Sequence, residues 1–521
     1  MPGQLVTAGP WPGGLNNRDQ SFAASLVPPN ELRFCKNLEV LDTGGLVNRL
    51  GCRLTGGPAA YTDISTGGAF WLLGGVDTTD RRYAIIGSHN GGSPGTTVVR
   101  YTTDGMSNLD VSWTVAPGGS LTGLYSTVYQ YGGFIYVVGQ PGGGVGQRRA
   151  DITAGAWAAV AAQPAGDLAF VVRERAFIVN KATNRIYWSK ATDPTVWAAP
   201  DGGFVDVNPG DGSVITDVVV VNSQLYIFKR NRTYVLIFTS DPALDGQVTL
   251  LNASIGAYSA TVHLNSIYVV NDRSVYRLQS NYFTDVGTKL ALPEYGVVDA
   301  LTAPGIMANV ERDVLVIGPM VNTSLTSHFS MNLRTGAWAG RQYSDLATAP
   351  STKQISWRDT SLSGGAGVLY GHGTRNLSGT RLRSAFGDPT ACLDVNSFGV
   401  TVSPEYSFVT GEFTGGDYGS WKRLHYAAVR LNSVPAPGDA AVLIAPVVGP
   451  DLSADAQPRA PVPVQYGGKI ALTSYRFRSM AWRMDKPQTT LGALSSNTAS
   501  YLVIKEVASR VSSHGRGLSS T

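Results

Sequence analysis

The pentapeptide IYVVG at residues 135–139 is one copy of a recurring apolar segment that determines the fold. Copies of this segment begin 52, 41, 49, 42, 47 and 53 residues apart along the chain. They are, in chain order, YAIIG (83–87), IYVVG (135–139), AFIVN (176–180), LYIFK (225–229), IYVVN (267–271), VLVIG (314–318) and GVLYG (367–371). Each copy is rich in β-branched and aromatic residues and lies between turn-forming residues, which predicts a β-strand.

The sequence around each copy reads as an apolar strand, a tight turn, the central strand, a polar turn and a further strand. Several of these units end on tryptophan, at Trp113, Trp157, Trp197 and Trp338. A period of about 40–50 residues with about four strands per unit is typical of a β-propeller. The sequence therefore predicts an all-β protein with a propeller of six to eight blades.

The stretch NRIYWSKATDPTVW at residues 184–197 forms the outer half of the third unit. Because side chains alternate along a strand, Ile186 and Trp188 are expected on one face and Tyr187 on the other. The pair Asp193-Pro194 indicates a turn. We expect Trp197 to pack between neighbouring blades.

The flanks of the repeats predict a domain division. Residues 1–60 are expected to form an N-terminal arm and first strands, and residues 61–395 the propeller. Residues 396–510 contain further β-branched and aromatic runs, which predict a β-sandwich-like distal or platform domain of about six to eight strands. Residues 511–521 are expected to be a flexible tail.

Composition and charge exclude several classes of protein. Charged residues make up 15% of the chain, and the net charge of +4 argues against nucleic-acid binding over the whole surface. The three cysteines, Cys35, Cys52 and Cys392, form no disulfide or metal-binding pattern, which favours a reducing cytoplasm. We find no signal-peptide pattern and no apolar run near the ~18 residues of a membrane helix, so no membrane anchor is expected.

No motif in the sequence carries an enzyme prediction. The glycine-rich segment 139–151 lacks the Gly-Lys-Ser/Thr ending of a phosphate loop. In DVNPGDGS at 206–213, Asp206 and Asn208 have the spacing of calcium ligands, but Gly210 replaces the third ligand and the bidentate glutamate is missing, so we expect a turn. The six histidines have no zinc spacing. Ser189, Asp193 and Trp197 only partly match the Asp-box of sialidases, which is itself a structural turn. We therefore predict no catalytic, metal-binding or cofactor-binding residue.

The N-terminal segment 13–54 carries the first of three phrases that resemble one family. Its key positions are Gly13, Gly14, Leu15, Asn16, Arg18, Asp19, Leu26, Pro28, Pro29, Glu31, Asn37, Gly45, Leu46, Arg49 and Gly51. This order of residues resembles the opening of the tail nozzle proteins of short-tailed bacteriophages, also called tail tubular protein B or phage stabilisation proteins.

Two further phrases in the chain resemble the same family. The first extends from residue 184 to residue 236, and its matching positions are Asp193, Pro194, Trp197, Asp211, Gly212, Ile215, Leu225, Phe228 and Lys229. The second, GSWKRLHYAAVRL at 419–431, is similar to a basic strand of the distal sandwich of those proteins. The chain is shorter than many nozzle proteins, so some of their inserted domains are expected to be missing.

The resemblance implies a non-catalytic structural virion protein, made in the host cytoplasm and built into the virion tail. Such proteins form a homohexameric ring that contacts the portal-adaptor protein and carries tail fibres, tailspikes or tip proteins. Genomic DNA passes through the ring without sequence-specific binding. By this resemblance, subunit or adaptor contacts are expected at Asn16, Arg18, Asp19, Pro28, Pro29 and Arg49, and distal-domain contacts at Trp421, Lys422 and Arg423.

Two other classes of function remain open from the sequence. One is a propeller of a phage tail tip that binds or cleaves cell-surface glycan, because exposed aromatic residues can stack on sugars. The other is a cellular propeller that acts as a scaffold. Six-fold rings would favour the nozzle, whereas turnover of a polysaccharide or a monomer without virion partners would favour these alternatives.

Overall fold

The computed structural model describes most of the chain and leaves gaps between the described segments. The described residues are 4–16, 30–48, 53–54, 69–76, 78, 82–90, 95–102, 114–238, 242–290, 305–309, 314–322, 325–341, 351–359, 365–372, 378–383, 394–395, 401–403, 405–411, 421–431, 441–449, 461–464, 469–477, 479–487, 489–490 and 503–514.

The N-terminal segment supplies five strands before the first repeat. They are β1 (Gln4–Ala8), β2 (Leu32–Lys36), β3 (Leu38–Val40), β4 (Leu46–Asn48) and β5 (Arg53–Leu54).

The repeats form seven four-stranded antiparallel sheets, which are the blades of a β-propeller. Blade 1 contains β6 (Ala69–Val76), β7 (Arg82–Asn90), β8 (Thr96–Thr102) and β9 (Thr114–Thr122), and blade 2 contains β10 (Tyr125–Tyr131), β11 (Phe134–Gly139), β12 (Gln147–Arg149) and β13 (Ala158–Ala159). Blade 3 contains β14 (Leu168–Val172), β15 (Arg175–Asn180), β16 (Arg185–Trp188) and β17 (Gly203–Asp206). Blade 4 contains β18 (Ile215–Val221), β19 (Gln224–Lys229), β20 (Thr233–Ile237) and β21 (Gln247–Asn252). One helical turn, α1 (Pro242–Asp245), precedes β21, and a 3-10 turn (Pro209–Asp211) precedes β18.

Blades 5 to 7 follow the same antiparallel pattern as the first four. Their strands are β22 (Ser259–His263), β23 (Ser266–Val270), β24 (Val275–Gln279), β25 (Tyr282–Asp285); β26 (Gly305–Asn309), β27 (Val314–Asn322), β28 (Leu325–Asn332), β29 (Trp338–Arg341); and β30 (Ser351–Asp359), β31 (Gly365–His372), β32 (Ser378–Arg383), with β5 as the fourth strand of blade 7.

All seven recurring segments of the sequence lie in the second strand of a blade. Second strands are buried on both faces by the neighbouring blades, as in β15, where all six residues are buried. First strands line the centre of the propeller and are less buried, as in β14 and β22. The apolar composition of the second strand on both faces therefore explains why it dominates the repeat.

The propeller is a closed ring. The first strands of successive blades contact each other from β6 to β30, and β30 contacts β6. The N-terminal strand β5 completes blade 7, since Leu54 and Arg53 pair with Ser378 and Gly379. The prediction of an all-β propeller of six to eight blades is confirmed, and the described residues form seven blades.

A β-bulge recurs near the start of the innermost strand. The register shifts by one residue in blades 1, 2, 4 and 7. In blade 2 the extra residue Ser126 donates a hydrogen bond to the carbonyl of Gly166, and in blade 4 Thr216 donates to the carbonyl of Ala257. Each acceptor lies where the chain enters the next blade, so the bulges link neighbouring blades.

The C-terminal segment contributes the remaining ten strands. They are β33 (Asp394–Val395), β34 (Thr401–Ser403), β35 (Tyr406–Thr410), β36 (Trp421–Leu431), β37 (Leu443–Gly449), β38 (Val462–Pro463), β39 (Lys469–Phe477), β40 (Ser479–Lys486), β41 (Thr489–Thr490) and β42 (Val503–His514).

Both ends of the chain build the β-sandwich. One sheet has the order β3-β4-β42-β36-β39, with β1 also paired to β42, and the second has the order β2-β35-β40-β37-β38. A third, small sheet contains β33, β34 and β41. Trp482 of the second sheet is buried and donates its Nε1–H to Ser509 Oγ of the first sheet (3.0 Å). The core between the sheets also contains Trp11, whose ring meets Phe408 edge-on.

The N-terminal segment therefore lies differently from the division drawn from sequence. That division assigned residues 1–60 to an arm and first strands and the sandwich to residues 396–510. In the structure β1 to β4 belong to the sandwich and β5 belongs to the propeller of the same chain. The predicted tail, 511–521, is described as far as His514, within β42.

Candidate functional site

The phrase Gly13–Asn16 lies at the junction between the sandwich and blade 6. Leu15 N donates to the carbonyl of Trp338 (2.7 Å), and Leu32 N donates to the carbonyl of Gly14 (2.8 Å). Gly14 has φ +64°, and a Cβ at this position would lie 2.4 Å from Trp338 N. Only glycine combines this left-handed conformation with such a close backbone approach.

Polar side chains complete the same junction. Asn16 Nδ2 donates to Glu31 Oε2 (2.8 Å), and Lys289 Nζ donates to Glu31 Oε1 (2.7 Å) and to the carbonyl of Gly13 (3.0 Å). Lys289 belongs to the connection between blades 5 and 6. Asn16, predicted at a subunit or adaptor contact, therefore bonds within its own chain, between the sandwich segment and the propeller.

Trp338 is the buried centre of this junction. Its Nε1–H donates to the carbonyl of Val286 (2.8 Å), and its ring belongs to a core shared by blades 5 and 6 and the sandwich. Asn37 N donates to the carbonyl of Gly340 (2.9 Å), and Asn332 Nδ2 donates to Asp42 Oδ1 (2.7 Å). Apolar packing and these bonds together attach the sandwich to the outer edge of blade 6.

Five further residues were predicted at subunit or adaptor contacts. Arg18, Asp19, Pro28, Pro29 and Arg49 lie outside the described residues.

The distal phrase Trp421–Arg423 opens β36, which lies between β42 and β39 in the larger sheet of the sandwich. Arg423 is exposed, and its backbone pairs with Ser512 and Arg476. The side chains of Trp421 and Lys422 lie outside the described part of the structure. Of the described members of the two predicted contact groups, Asn16 therefore lies at the junction with blade 6 and Arg423 lies in the larger sheet of the sandwich.

The second family-like phrase forms a buried ion pair in blade 4. Lys229 Nζ donates to Asp211 Oδ1 (2.8 Å) and to the carbonyl of Asn208 (2.9 Å). The side chains are 0% and 1% exposed. Burial alone would raise the pKa of Asp211, but hydrogen bonds from Lys229, Tyr234 and Ser213 outweigh it and lower the pKa to about 2.

This pair explains a motif that the sequence left as a turn. Gly212 follows Asp211 with φ +74°, so the chain reverses there and brings the carboxylate back to the end of β19. The strand LYIFK ends on a lysine after a fully apolar run. A lysine at the end of such a buried strand could have indicated a buried anionic partner. The aspartate therefore serves the fold of blade 4 and holds a lysine where a calcium loop would hold a cation.

The turn at Asp193 is also structural. Asp193 Oδ1 accepts from Thr195 N (3.0 Å) and from Thr195 Oγ1, and these bonds lower the pKa of the carboxyl group. Trp197 donates its Nε1–H to the carbonyl of Pro194 (2.8 Å) and packs between blades 2 and 3, which confirms its predicted place. Blade 2 repeats the device, since Asp151 Oδ1 accepts from Thr153 N (2.7 Å).

A further carboxylate connects blades 4 and 5. Asp217 Oδ2 accepts from Ala260 N (2.8 Å) and lies 3.3 Å from Ser259 Oγ, both in the next blade. Burial raises the pKa of Asp217, although these hydrogen bonds oppose that shift. The position directly follows the bulge of β18, so the residue stabilises the inner ring.

The turns after the second strand of blades 3 to 5 are rich in basic residues. Strands alternate in direction within a blade, so the turns after strands one and three emerge on one face, here called the tip face. The turns after strand two, like the connections between blades, emerge on the opposite face. In blades 3 to 5, those turns carry Lys181, Arg230, Arg232 and Arg273 against one acid, Asp272.

The described residues contain neither a metal-binding cluster nor a membrane-spanning helix. No group of three or more His, Cys, Asp or Glu side chains within the described segments is arranged to hold a metal ion. Among the same segments, no helix is long and apolar enough to span a membrane.

The comparisons with known proteins give structural similarity without a family. No family model matches the chain, and no curated protein matches its sequence. The extracellular domain of a one-component system from B. thetaiotaomicron has 11% identity and a TM-score of 0.39 over 85% of this chain. The chain spans 62% of that domain.

Two enzymes are among the similar solved structures. An exo-beta-1,3-galactanase from Phanerochaete chrysosporium with galactose has 10% identity and a TM-score of 0.29, covering 88% of this chain and 100% of that one. A Trypanosoma rangeli sialidase with sialic acid has 10% identity and a TM-score of 0.28, covering 86% and 91%. At these values the similarity carries no argument about activity.

Proposed function

We propose that this chain is a structural virion protein, six copies of which form the ring-shaped tail nozzle of a short-tailed bacteriophage. The observation that carries the proposal is where the family-like phrases lie. Gly13–Asn16 joins the sandwich to blade 6, the Asp211–Lys229 pair holds blade 4, and the distal phrase begins a strand inside the sandwich. Because these family-like segments fix the shape of the subunit, they support a structural role in assembly.

The architecture fits a ring-forming subunit. Blades 5 and 6 of the closed propeller share an apolar core with the sandwich, so each copy would act as a stiff wedge. Head-to-tail contacts between such wedges close into a ring when the rotation between copies allows it. A content of 15% charged residues suits large contacts, because the centres of protein interfaces are depleted in charge. The portal-adaptor, fibres and tip proteins would occupy the remaining surfaces, with DNA in the channel.

A non-catalytic role is part of this proposal. The carboxylates that the sequence motifs brought forward are each engaged within the fold. Asp193 accepts from Thr195, Asp211 from Lys229, and Asp206 from the guanidinium of Arg185 (2.6 Å). Most glycosidases use two carboxyl groups that flank the scissile bond, whereas these three carboxylates are bound to structural partners.

The mass of the purified protein in solution tests the proposal. Light scattering should give a mass near six times the 55.1 kDa of one chain as the concentration rises. Concentrations up to about 1 mM approach the effective concentration within an assembly. A chain that stays monomeric over this range would contradict the ring. A parallel assay for release of reducing ends from neutral and sialylated polysaccharides should show no turnover, and turnover would contradict the non-catalytic role.

A further inference from the structure

The tip face of blade 5 exposes two large apolar side chains. Leu264 is 76% exposed and Tyr282 is 77% exposed, more than any other large apolar residue in the described part of the chain. Leu264 lies in the turn between β22 and β23, and Tyr282 begins β25 after the turn at Ser280–Asn281. Both turns emerge at the same end of the blade, separated by about two strand spacings, or ~10 Å.

Uncharged polar groups surround these two side chains. Asn265, Gln279, Ser280 and Asn281 are all exposed, and Gln279 pairs with Tyr282 across β24 and β25. Neither turn contains a charged residue. The patch of Leu264, Asn265 and Gln279 to Tyr282 is here called the blade-5 tip.

The outer turn of the blade-5 tip lies against the neighbouring blade. The hydroxyl of Tyr226, in β19 of blade 4, lies 3.1 Å from Gln224 Oε1 and 3.4 Å from Asn281 Oδ1. Ser280 and Asn281 have φ +50° and +65°, so the turn between β24 and β25 is tight. The tight turn fixes the backbone of Asn281 next to Tyr282 before any ligand arrives.

Leu264 is an unusual residue for its position. Its φ of +53° lies in the left-handed region, where glycine or asparagine is common and a leucine is strained. Because its side chain is exposed, burial within this chain does not offset the free-energy cost of the strained backbone. An apolar group held outward beside an exposed aromatic ring is suited to contact with a molecule outside the chain.

We propose that the blade-5 tip binds a neutral glycan. The ring of Tyr282 offers an apolar surface for the C–H face of a sugar, and the amides beside it can donate and accept hydrogen bonds with hydroxyl groups. The six described residues of the tip include no cation to pair with a sialic acid or sulfate, so the ligand that suits them is an uncharged sugar. This inference goes beyond the nozzle and does not depend on ring formation.

Binding to defined oligosaccharides tests this site. The probes are neutral hexoses and N-acetylhexosamines of about six units, with sialylated and sulfated oligosaccharides as anionic comparisons. Calorimetry should detect at least one neutral oligosaccharide and no preference for the anionic ones. Tyr282→Ala should weaken that binding about tenfold or more, whereas Tyr282→Phe, which keeps the ring, should retain most of it.

A matched control uses another exposed aromatic residue. Phe204 is 51% exposed on the outer strand of blade 3 and is covered by the Arg185 guanidinium at 3.8 Å. Phe204→Ala should leave glycan binding unchanged. The proposal is overturned if no neutral oligosaccharide binds the wild-type protein at millimolar concentration, or if Tyr282→Ala binds as well as wild type.

The same variants distinguish a sugar site from a protein contact. If Tyr282→Ala lowers the oligomer mass in light scattering and no sugar binds, the blade-5 tip is a subunit contact and the glycan proposal fails. A monomer that binds a neutral glycan would contradict only the nozzle ring. A hexamer that binds none would contradict only the glycan site.

Discussion

Blades 4 and 6 have the same strand order, but they are stabilised in different ways. The outer strand of blade 4, β21, is largely exposed, and its Leu250 faces solvent. The outer strand of blade 6, β29, begins with the buried Trp338 and is covered by the sandwich. Blade 4 instead contains the buried Lys229–Asp211 pair. Equal topology therefore does not mean equal sources of stability.

The largest effect is expected at the covered edge of blade 6. Trp338→Ala should lower the free energy of unfolding by about 4 kcal/mol, because it opens a cavity in the shared core and removes the bond to Val286. Denaturant unfolding followed by circular dichroism would measure the change. Trp338→Phe should recover a large part of it, and a loss below about 1 kcal/mol would contradict the shared core.

The buried ion pair of blade 4 should give the next effect. Lys229→Met leaves the Asp211 carboxylate buried without its cation and should cost about 3 kcal/mol in the free energy of unfolding. Adding Asp211→Asn to that variant should restore part of the loss.

The control for the ion pair is Arg232→Met. The Arg232 guanidinium is 3.8 Å from Asp211 and its side chain is 40% exposed, so its removal should change stability by less than about 1 kcal/mol. Equal effects of Lys229→Met and Arg232→Met would show that the buried pair does not hold blade 4.

Gly14 tests how closely the sandwich segment approaches blade 6. Gly14→Ala should cost about 2 kcal/mol, because the new Cβ meets the backbone of Trp338 and the residue must keep φ +64°. Gly142→Ala is the matched control, since Gly142 has φ +77° with open space around its Cβ position. Both variants share the strain of a positive φ, but only Gly14→Ala adds the steric contact. Thermal unfolding should therefore show a larger drop in Tm for Gly14→Ala, and equal shifts in Tm would contradict the close approach.

Acid should weaken blade 4 through Asp211. Its folded-state pKa of about 2 lies below the ordinary value of 3.8, so its contribution is full above about pH 5 and is lost as pH falls toward 2. The shift corresponds to about 2 kcal/mol. Unfolding free energies measured between pH 5 and 2 should fall less steeply in Asp211→Asn, and an unchanged slope would contradict the depressed pKa.

The smallest effect is expected for the polar bonds of the junction. Glu31→Gln removes the charge that faces Lys289, a half-exposed lysine, and should cost about 0.5 kcal/mol. The loss should shrink at high salt, because added ions screen exposed pairs. A loss as large as that of Trp338→Ala would mean that charge, and not packing, joins sandwich and propeller.

The repeat predicted the propeller because its signal is local. The seven apolar segments each lie in one second strand, where burial on both faces demands apolar residues. Closure by Arg53–Leu54 could not be predicted, since a two-residue strand has no pattern of its own. The N-terminal part of the sandwich was missed for a related reason, because pairs such as Gln4 with Val511 join residues at opposite ends of the chain.

The sequence predicted several residues of the candidate site but not their contacts. The sequence brought Asn16, Asp211 and Lys229 forward, but their partners depend on tertiary contacts that spacing does not encode. Lys229 at the end of an apolar strand could have suggested a buried anion. The exposed Tyr282 had no sequence signal, since its strand resembles those whose aromatic residues are buried.

Electron microscopy of the purified protein with two-dimensional class averages would decide whether the chain forms a tail nozzle. We expect six-fold rings with an open channel, in which each subunit contains a propeller that shares an apolar core with its sandwich. Averages that contain only single propellers at the highest concentrations, or closed pairs without a channel, would contradict the assignment as a tail nozzle.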